Sequence, residues 1–204
     1  ENALWRRGFI KRTQNLPDFD RIVVAVDPAV SSDVGSDETG IMVVALGTDG
    51  NGYVLEDGSD RMRPEEWARK AIALYDKYDA DRIVAEINQG GEMVEATIRA
   101  QAPGRTIPYR AVHATRGKVI RAEPIASLYE LGKVYHADEF GNLEDQMCVF
   151  TTGFDRKAQG WSPDRVDALV WGLTDLFPQM VKKKTPETPI HIPSRQALGA
   201  SRRF

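Results

Sequence analysis

The segment RIVVAVD at residues 21–27 constrains the fold of this chain more than any other feature. Its unbroken run of apolar residues, most of them β-branched, is typical of a strand that is buried on both faces of a sheet. The run ends in Asp27, and Pro28 follows directly. A carboxylate at the end of an apolar strand is costly to desolvate unless a cation pairs with it. The segment therefore predicts a buried sheet with a charged group at one edge.

Hydrophobic periodicity predicts the other elements. Further strands are predicted at residues 39–46, 53–56, 81–86 and 109–113, with a hairpin turn between the first two. Helices are predicted at residues 64–78, 92–102, 119–131, 143–150 and 162–177, the last with Ser162 as N-cap and Pro163 in its first turn. Three consecutive strands followed by alternating helices and strands predict an α/β fold, in which helices cover both faces of a mixed sheet.

The two ends of the chain differ from this central domain, which we place at residues 21–178. Residues 1–20 resemble an irregular lead-in whose apolar side chains are expected to dock on another surface. Residues 179–204 are rich in lysine and proline and are expected to form a flexible basic tail. The chain as a whole carries a net charge of −3. Because the tail is basic, the rest of the chain must carry an excess of acidic residues.

Composition excludes several classes of protein. An apolar fraction of 42% is normal for a globular domain and excludes wholesale disorder. No apolar run reaches the roughly 18–20 residues that a membrane span needs, and residues 1–10 lack the apolar core of a signal peptide. Cys148 is the only cysteine, which excludes an internal disulfide and a thiolate metal site. We therefore expect a protein of the reducing cytosol with no membrane partner.

Four acidic residues lie where predicted strands end or where the last helix begins. Asp27 and Glu86 end two strands, and Asp164 and Asp167 share one stripe of the last helix with Trp171. Such a cluster of like charges requires divalent cations, and ligands that offer only oxygen favour Mg²⁺ or Mn²⁺ over Zn²⁺. Two cations held there could activate a water and stabilise the leaving 3′ oxygen in phosphodiester hydrolysis.

Two of these acids also have a purely structural interpretation, whereas Glu86, at the end of a buried strand, is not explained as a turn residue. An aspartate after a strand, such as Asp27, is usually a turn or cap residue. Asp164 could simply interact favourably with the helix dipole, whereas Asp167 lies one turn further in and gains less from it. The combination of the four acids in a strand–strand–helix order favours the metal site.

Three motifs resemble, in the same order, the nuclease motifs of the large subunits of phage-type terminases, which are DNA-packaging motors. The first is VVAVDPA at residues 23–29 with DETG at 37–40, the second is VAEINQGG at 84–91, and the third is SPDRVDALVW at 162–171. The dipeptide LW at residues 4–5 and the stretch RGKVIRAEP at 116–124 are also similar to that family. The resemblance covers roughly residues 4–180.

The resemblance implies an RNase H-like fold and a two-metal endonuclease that cuts concatemeric double-stranded viral DNA during packaging. It implies that Asp27, Glu86 and Asp167 are metal ligands. Asp164 is then either a further ligand or an orienting group. In the loop after Asp27, Asp37 is favoured over Asp33 as a contact to the second metal, and a solvated loop acid is the alternative.

A basic segment beside the predicted site is the candidate for DNA binding. Arg116, Lys118 and Arg121 enter a helix directly after the strand at 109–113, where they could bind phosphates. The alternative is a solvated basic start of a helix. The basic tail could contact DNA or the portal ring, and a plain disordered tail is the alternative.

The resemblance also implies partners and a location, because terminase large subunits carry an ATPase motor and act with a portal ring and a small terminase subunit. No GxxxxGK[ST] phosphate loop occurs in this sequence. We therefore expect the nuclease part alone, without ATPase activity, with residues 1–20 as the linker from the ATPase domain. The expected location is the cytoplasm of the bacterial host.

Two other functions fit parts of the pattern. A resolvase or RNase H-type nuclease that acts on junctions or hybrids would use the same acids. A non-catalytic nucleic-acid-binding module on the same fold usually lacks one or more of them, and here all are present. An ATPase of the related actin-type fold would require glycine-rich phosphate loops, which the sequence lacks.

Overall fold

The structure is a computed structural model that describes residues 3–29, 38–87, 91–155, 158 and 160–181. Within these residues, seven strands form one mixed sheet in the order β1-β7-β4-β3-β2-β5-β6. The strands are β1 Lys11–Arg12, β2 Phe19–Asp27, β3 Gly40–Gly47, β4 Gly52–Asp57, β5 Arg82–Glu86, β6 Tyr109–Val112 and β7 Val134–His136.

The centre of the sheet is an antiparallel meander of β2, β3 and β4. Strand β5 runs parallel to β2, β6 runs parallel to β5, and β7 runs parallel to both β4 and β1. Residues Val23 to Val26 are completely buried because β2 is central and covered on both faces. The predicted mixed sheet is therefore confirmed.

Helices cover both faces of the sheet, as the sequence predicts. The helices are α1 Pro64–Lys77, α2 Gly91–Gln101, α3 Lys118–Glu130, α4 Gly141–Val149, α5 Asp164–Leu176 and α6 Pro178–Val181. One core lies between the sheet and α3, α4 and α5, and a second lies between the sheet and α1 and α2. Met42 and Val44 of β3 point into the first core, and Ile41 and Val43 into the second. Among the helices described, none is long and apolar enough to cross a membrane.

Helix α5 is the central helix of its layer, and every residue in it except Thr174 is buried. It packs across β2 and β3 at Gly172, where a Cβ atom would lie 2.6 Å from Cγ2 of Val44 and 3.1 Å from Cβ of Ala25. Glycine therefore allows the helix axis to approach the sheet more closely than any other residue would. This close packing fixes the distance between α5 and the sheet, and so the position of the α5 side chains relative to the strand ends.

The lead-in is more ordered than the sequence predicts. Strand β1 and the 3-10 helix Arg7–Phe9 lie within residues 1–20, and Trp5 and Ile10 are buried in the first core. The apolar side chains of the lead-in pack on the domain, and part of the lead-in forms regular structure where the sequence predicts none. Strands β1 and β7 were not recognised because two and three residues are too few to show a strand period.

A buried polar network lies where β7 meets α3 and α4. Nδ1 of His136 lies 3.0 Å from Oε1 of Glu144, and Nε2 lies 2.9 Å from the hydroxyl of Tyr129. A neutral His136 donates from Nδ1 to Glu144 and accepts from Tyr129, so both ring nitrogens are satisfied. Arg12 of β1 donates to the other oxygen of Glu144, which ties the lead-in to α4.

This network makes stability sensitive to acid. Burial lowers the pKa of His136 below its ordinary 6.5, and the hydrogen bond from His136 lowers the pKa of Glu144. The unfolded chain therefore binds protons more readily, so stability that is complete above pH 6.5 is lost as the pH falls. We expect the unfolding free energy to fall from pH 7 to pH 5, by at most about 1.4 kcal/mol per pH unit for one titrating group.

Urea unfolding of the His136→Gln variant measures this effect, because glutamine can keep both hydrogen bonds without titrating. Its unfolding free energy should change less between pH 7 and pH 5 than that of the unsubstituted chain. His113→Gln is the matched control, since His113 is exposed. Equal pH dependence in the chain and in the His136→Gln variant would contradict the assignment.

Candidate active site

Close contact between β3 and α5 brings two of the predicted acids together. Asp27 ends β2 and pairs across the sheet with Gly40 of β3. A Cβ atom on Gly40 would lie 2.0 Å from the backbone oxygen of Asp164. The first turn of α5 therefore rests directly on the backbone of β3, beside the strand end that carries Asp27.

Three carboxylates form a compact group at this position. Asp27, Asp164 and Asp167 are buried, and each offers an oxygen within 4.8 Å of the others. Burial raises the pKa of Asp27 well above its ordinary value, and the neighbouring Asp167 and Glu86 raise it further. Burial also raises the pKa of Asp167. Three buried carboxylates this close together fit a site for hard divalent cations, which prefer oxygen ligands.

Glu86 lies beside this group but outside it. Val26 of β2 pairs with Ala85 of β5, so the next residues along the two parallel strands, Asp27 and Glu86, are neighbours at the same edge. Oε2 of Glu86 accepts a hydrogen bond of 2.6 Å from Nε1 of Trp171. The structure therefore brings all four predicted acids to one edge of the sheet, with Glu86 turned toward α5.

Two basic residues of α3 face the acids. Lys118 donates to Oδ2 of Asp167. Burial disfavours its charged form, but Asp167 and Asp27 raise the pKa of Lys118, so it remains a cation. Arg121 has a side chain that is only 10% exposed and lies between Glu86 and Asp167. Arg116 is exposed in the loop before α3.

A buried arginine that sequence reasoning missed fixes the start of α5. Nε of Arg165 donates to Glu38 at 3.0 Å, and its NH1 donates to Asp57 at 2.6 Å. The backbone N–H of Arg165 donates to the side chain of Gln146 on α4. These contacts join α5 to β4, to α4 and to the residues before β3. The only available signal was that Arg165 is the one basic residue of the last predicted helix.

The start of α5 also differs from the sequence prediction in its cap. The N-cap position is Pro163, without a side-chain cap, whereas Ser162 was expected there. Ser162 instead donates to Oδ1 of Asp164, so its hydroxyl orients a candidate ligand. Asp33 and Asp37, the two acids considered as further ligands, lie outside the described residues.

Comparisons with known proteins agree with this geometry. The family model described as the terminase RNase H-like domain matches residues 24–176. The large terminase nuclease from thermophilic phage G20c is 17% identical, with a TM-score of 0.61 over 85% of this chain and 98% of that one. The nuclease domain of the large terminase subunit of bacterial virus Sf6 is 14% identical, with a TM-score of 0.64 over 82% and 96%.

A viral relative from a distant host has the same fold. The human cytomegalovirus terminase nuclease domain is 15% identical, with a TM-score of 0.58 over 84% of this chain and 92% of that one. Solved structures of the G20c nuclease hold magnesium or zinc, and solved structures of a variant Sf6 nuclease hold manganese or calcium. No curated protein sequence matches the chain.

The family match covers the sheet from Val24 of β2 onward, all four acids and all of α5. The structural likenesses show an RNase H-like fold of the terminase nuclease type. The chain belongs to the terminase RNase H-like domain family.

Proposed function

We propose that this chain is a metal-dependent endonuclease domain that cuts concatemeric double-stranded viral DNA during genome packaging. The observation that carries the proposal is the buried group of Asp27, Asp164 and Asp167, with Glu86 beside it. Buried carboxylates this close repel one another, and burial together with Asp167 and Glu86 keeps the pKa of Asp27 raised despite the nearby Lys118. Holding cations is the function that explains their position at rigid strand and helix ends.

Asp27, Asp164, Asp167 and Glu86 would hold two divalent cations, either Mg²⁺ or Mn²⁺. Such a pair supplies an activated water and a counter-charge for the leaving 3′ oxygen. The protein contributes fixed ligand positions, because Asp27 and Glu86 end neighbouring strands and Asp164 and Asp167 lie in one turn of α5. Among the residues that follow Asp27 in the sequence, Asp37 is our candidate for a further ligand.

We propose that Lys118 and Arg116 bind DNA phosphates at the start of α3. Lys118 is about one-third exposed and lies against Asp167, so a phosphate at the site would come within its reach. Arg116 is exposed beside it. Arg121, also a sequence candidate for phosphate binding, is largely buried against Glu86 and Asp167, and we assign its charge mainly to these carboxylates.

The phosphate role predicts a specific effect of Arg116→Ala. Loss of one phosphate contact should weaken DNA binding to a similar extent for every sequence and reduce the slope of log K against log salt by about one. Fluorescence anisotropy with a labelled duplex at salt concentrations from roughly 50 to 200 mM measures both. An unchanged salt slope would show that Arg116 does not contact the backbone. Arg61→Ala, an exposed arginine before α1, is the control.

Plasmid cleavage tests the proposed function. The chain is incubated with supercoiled plasmid in Mn²⁺, Mg²⁺ or EDTA, with the Asp167→Ala variant in parallel. We expect nicking and linearisation that require metal and are absent in the variant. Equal cutting by the variant would point to a contaminant and contradict the proposed site.

Other substrates separate the alternatives. Faster cleavage of a four-way junction or of an RNA–DNA hybrid than of plain duplex would favour a resolvase or RNase H-type nuclease. Tight DNA binding without any cleavage would narrow the choice to a binding module or a nuclease that is silent without its motor. In the packaging role, the partners we propose are an ATPase domain, a portal ring and a small terminase subunit in the cytoplasm of the bacterial host. We propose that ATP hydrolysis is not an activity of this chain.

A further inference from the structure

We propose that Trp171 is a positioning residue that holds Glu86 in one orientation for metal binding, together with Arg121. This inference rests on the proposed nuclease function and adds a role for a residue on the buried face of α5. Its central observation is the hydrogen bond of 2.6 Å from Nε1 of Trp171 to Oε2 of Glu86. Both residues are buried, so water does not compete for either group.

The hydrogen bond is part of a three-residue unit. The guanidinium carbon of Arg121 lies 4.4 Å from the centre of the Trp171 ring, a cation–π contact. NH1 of Arg121 lies 3.5 Å from the same Oε2 of Glu86, and NH2 lies 3.8 Å from Oδ1 of Asp167. The ring of Trp171 therefore packs against the guanidinium of Arg121. Both residues direct an N–H toward the same oxygen of Glu86.

This arrangement divides the two oxygens of Glu86 between two tasks. Within the described residues, Oε2 takes the donors from Trp171 and Arg121, and Oε1 takes none. A glutamate side chain has several rotatable bonds, so it presents one oxygen to a cation reproducibly only when the other is fixed. Partners that hydrogen-bond to ligating carboxylates in this way fix the ligand and tune the metal site.

Trp171 is better suited to this task than to packing alone. It lies on the same stripe of α5 as Asp164 and Asp167, seven and four residues further along the helix, and so points toward the site. An apolar side chain would fill the same space without donating to Glu86. The hydrogen bond to the carboxylate of Glu86 therefore explains why an indole occupies this position.

Trp171→Phe removes the donor and keeps an aromatic ring under Arg121. Trp5→Phe is the matched control, because Trp5 is buried in the core of the same layer and its Nε1 has no partner among the described residues. Mn²⁺ affinity is measured by calorimetry on the full 204-residue chain, together with urea unfolding, kcat and KM for a DNA duplex.

We expect Trp171→Phe to weaken Mn²⁺ binding about 10–100-fold and to lower kcat, with KM for DNA unchanged. Trp5→Phe should lose comparable stability with an unchanged Mn²⁺ affinity. A Mn²⁺ affinity of Trp171→Phe equal to that of the unsubstituted chain would overturn the inference and leave the proposed function intact. Absence of both Mn²⁺ binding and cleavage in the unsubstituted chain would overturn the two together.

A measurement without substitution covers the case in which Trp171→Phe does not fold. The indole N–H resonance of Trp171 is followed by NMR during a Mg²⁺ titration, with the resonance of Trp5 as the internal reference. We expect the Trp171 resonance to lie downfield of that of Trp5, as for a short bond to a carboxylate, and to shift as Mg²⁺ is added. A Trp171 resonance that does not respond to Mg²⁺ would overturn the inference.

Discussion

Asp27→Asn is expected to slow metal-dependent DNA cleavage roughly 1,000-fold, or about 4 kcal/mol of transition-state stabilisation, because a cation loses an anionic ligand. The same substitution should make the metal-free protein harder to unfold at neutral pH. Burial and the neighbouring Asp167 and Glu86 raise the pKa of Asp27, so its ionised form destabilises the folded chain. Asparagine has nearly the same shape and no charge, so it removes that repulsion.

Single-turnover cleavage of plasmid in Mn²⁺ and urea unfolding in EDTA measure the two effects. Asp175→Asn is the matched control: Asp175 is also a buried aspartate of α5, but it pairs with Arg110 at the other end of the helix. That variant should keep its cleavage rate and lose stability. If Asp27→Asn cleaved within tenfold of the unsubstituted rate, a difference of about 1.4 kcal/mol, Asp27 would not be a metal ligand.

Gly40→Ala is expected to impair stability and cleavage together. A Cβ atom at this position would lie 2.0 Å from the backbone oxygen and 2.6 Å from the backbone carbon of Asp164. Backbone atoms cannot rotate away, so α5 must move off β3 or the strand must distort. We expect a loss of about 3 kcal/mol or more of unfolding free energy, at the upper end for overpacking, since the contact is between backbones.

Cleavage should fall further than the fraction of folded protein explains, because Asp164 and Asp167 move with the first turn of α5 relative to Asp27. The comparison is made at a temperature where the variant is folded by circular dichroism. Gly141→Ala is the control, because no atom lies within 4 Å of its added Cβ and it begins α4. A folded Gly40→Ala variant with normal cleavage would mean that the spacing of α5 and β3 does not set the site.

The parts of the fold that could be predicted from the sequence are those with a clear local signal. The run before Asp27 is apolar because β2 is central, and Pro64 marks the first turn of α1. Strand β7 has only three residues and acquires its conformation from pairing with β4 and β1, which no local pattern records. Trp5 could be expected to dock, but its contacts with Tyr129 of α3 and with Phe150 after α4 could not be predicted.

The candidate site divides in the same way. Acids at strand ends could be recognised because a carboxylate after an apolar run lacks a local partner, as with Asp27 and Glu86. Contacts between distant parts of the chain could not be recognised from local patterns. Trp171 and Glu86 are 85 positions apart in the sequence, and Arg165 and Glu38 are 127 positions apart. These contacts depend on how closely α5 packs on the sheet. That distance is set at Gly40 and Gly172, where the helix and the strands come closest.

Anomalous diffraction from crystals of this chain soaked in Mn²⁺ tests the central claim most directly, because manganese is located without reference to activity. We predict two peaks roughly 3.5–4 Å apart at the edge of the sheet. They should lie within bonding distance of Asp27, Asp164, Asp167 and Glu86. Peaks only elsewhere on the surface, or no peak at this edge at saturating Mn²⁺, would contradict the account.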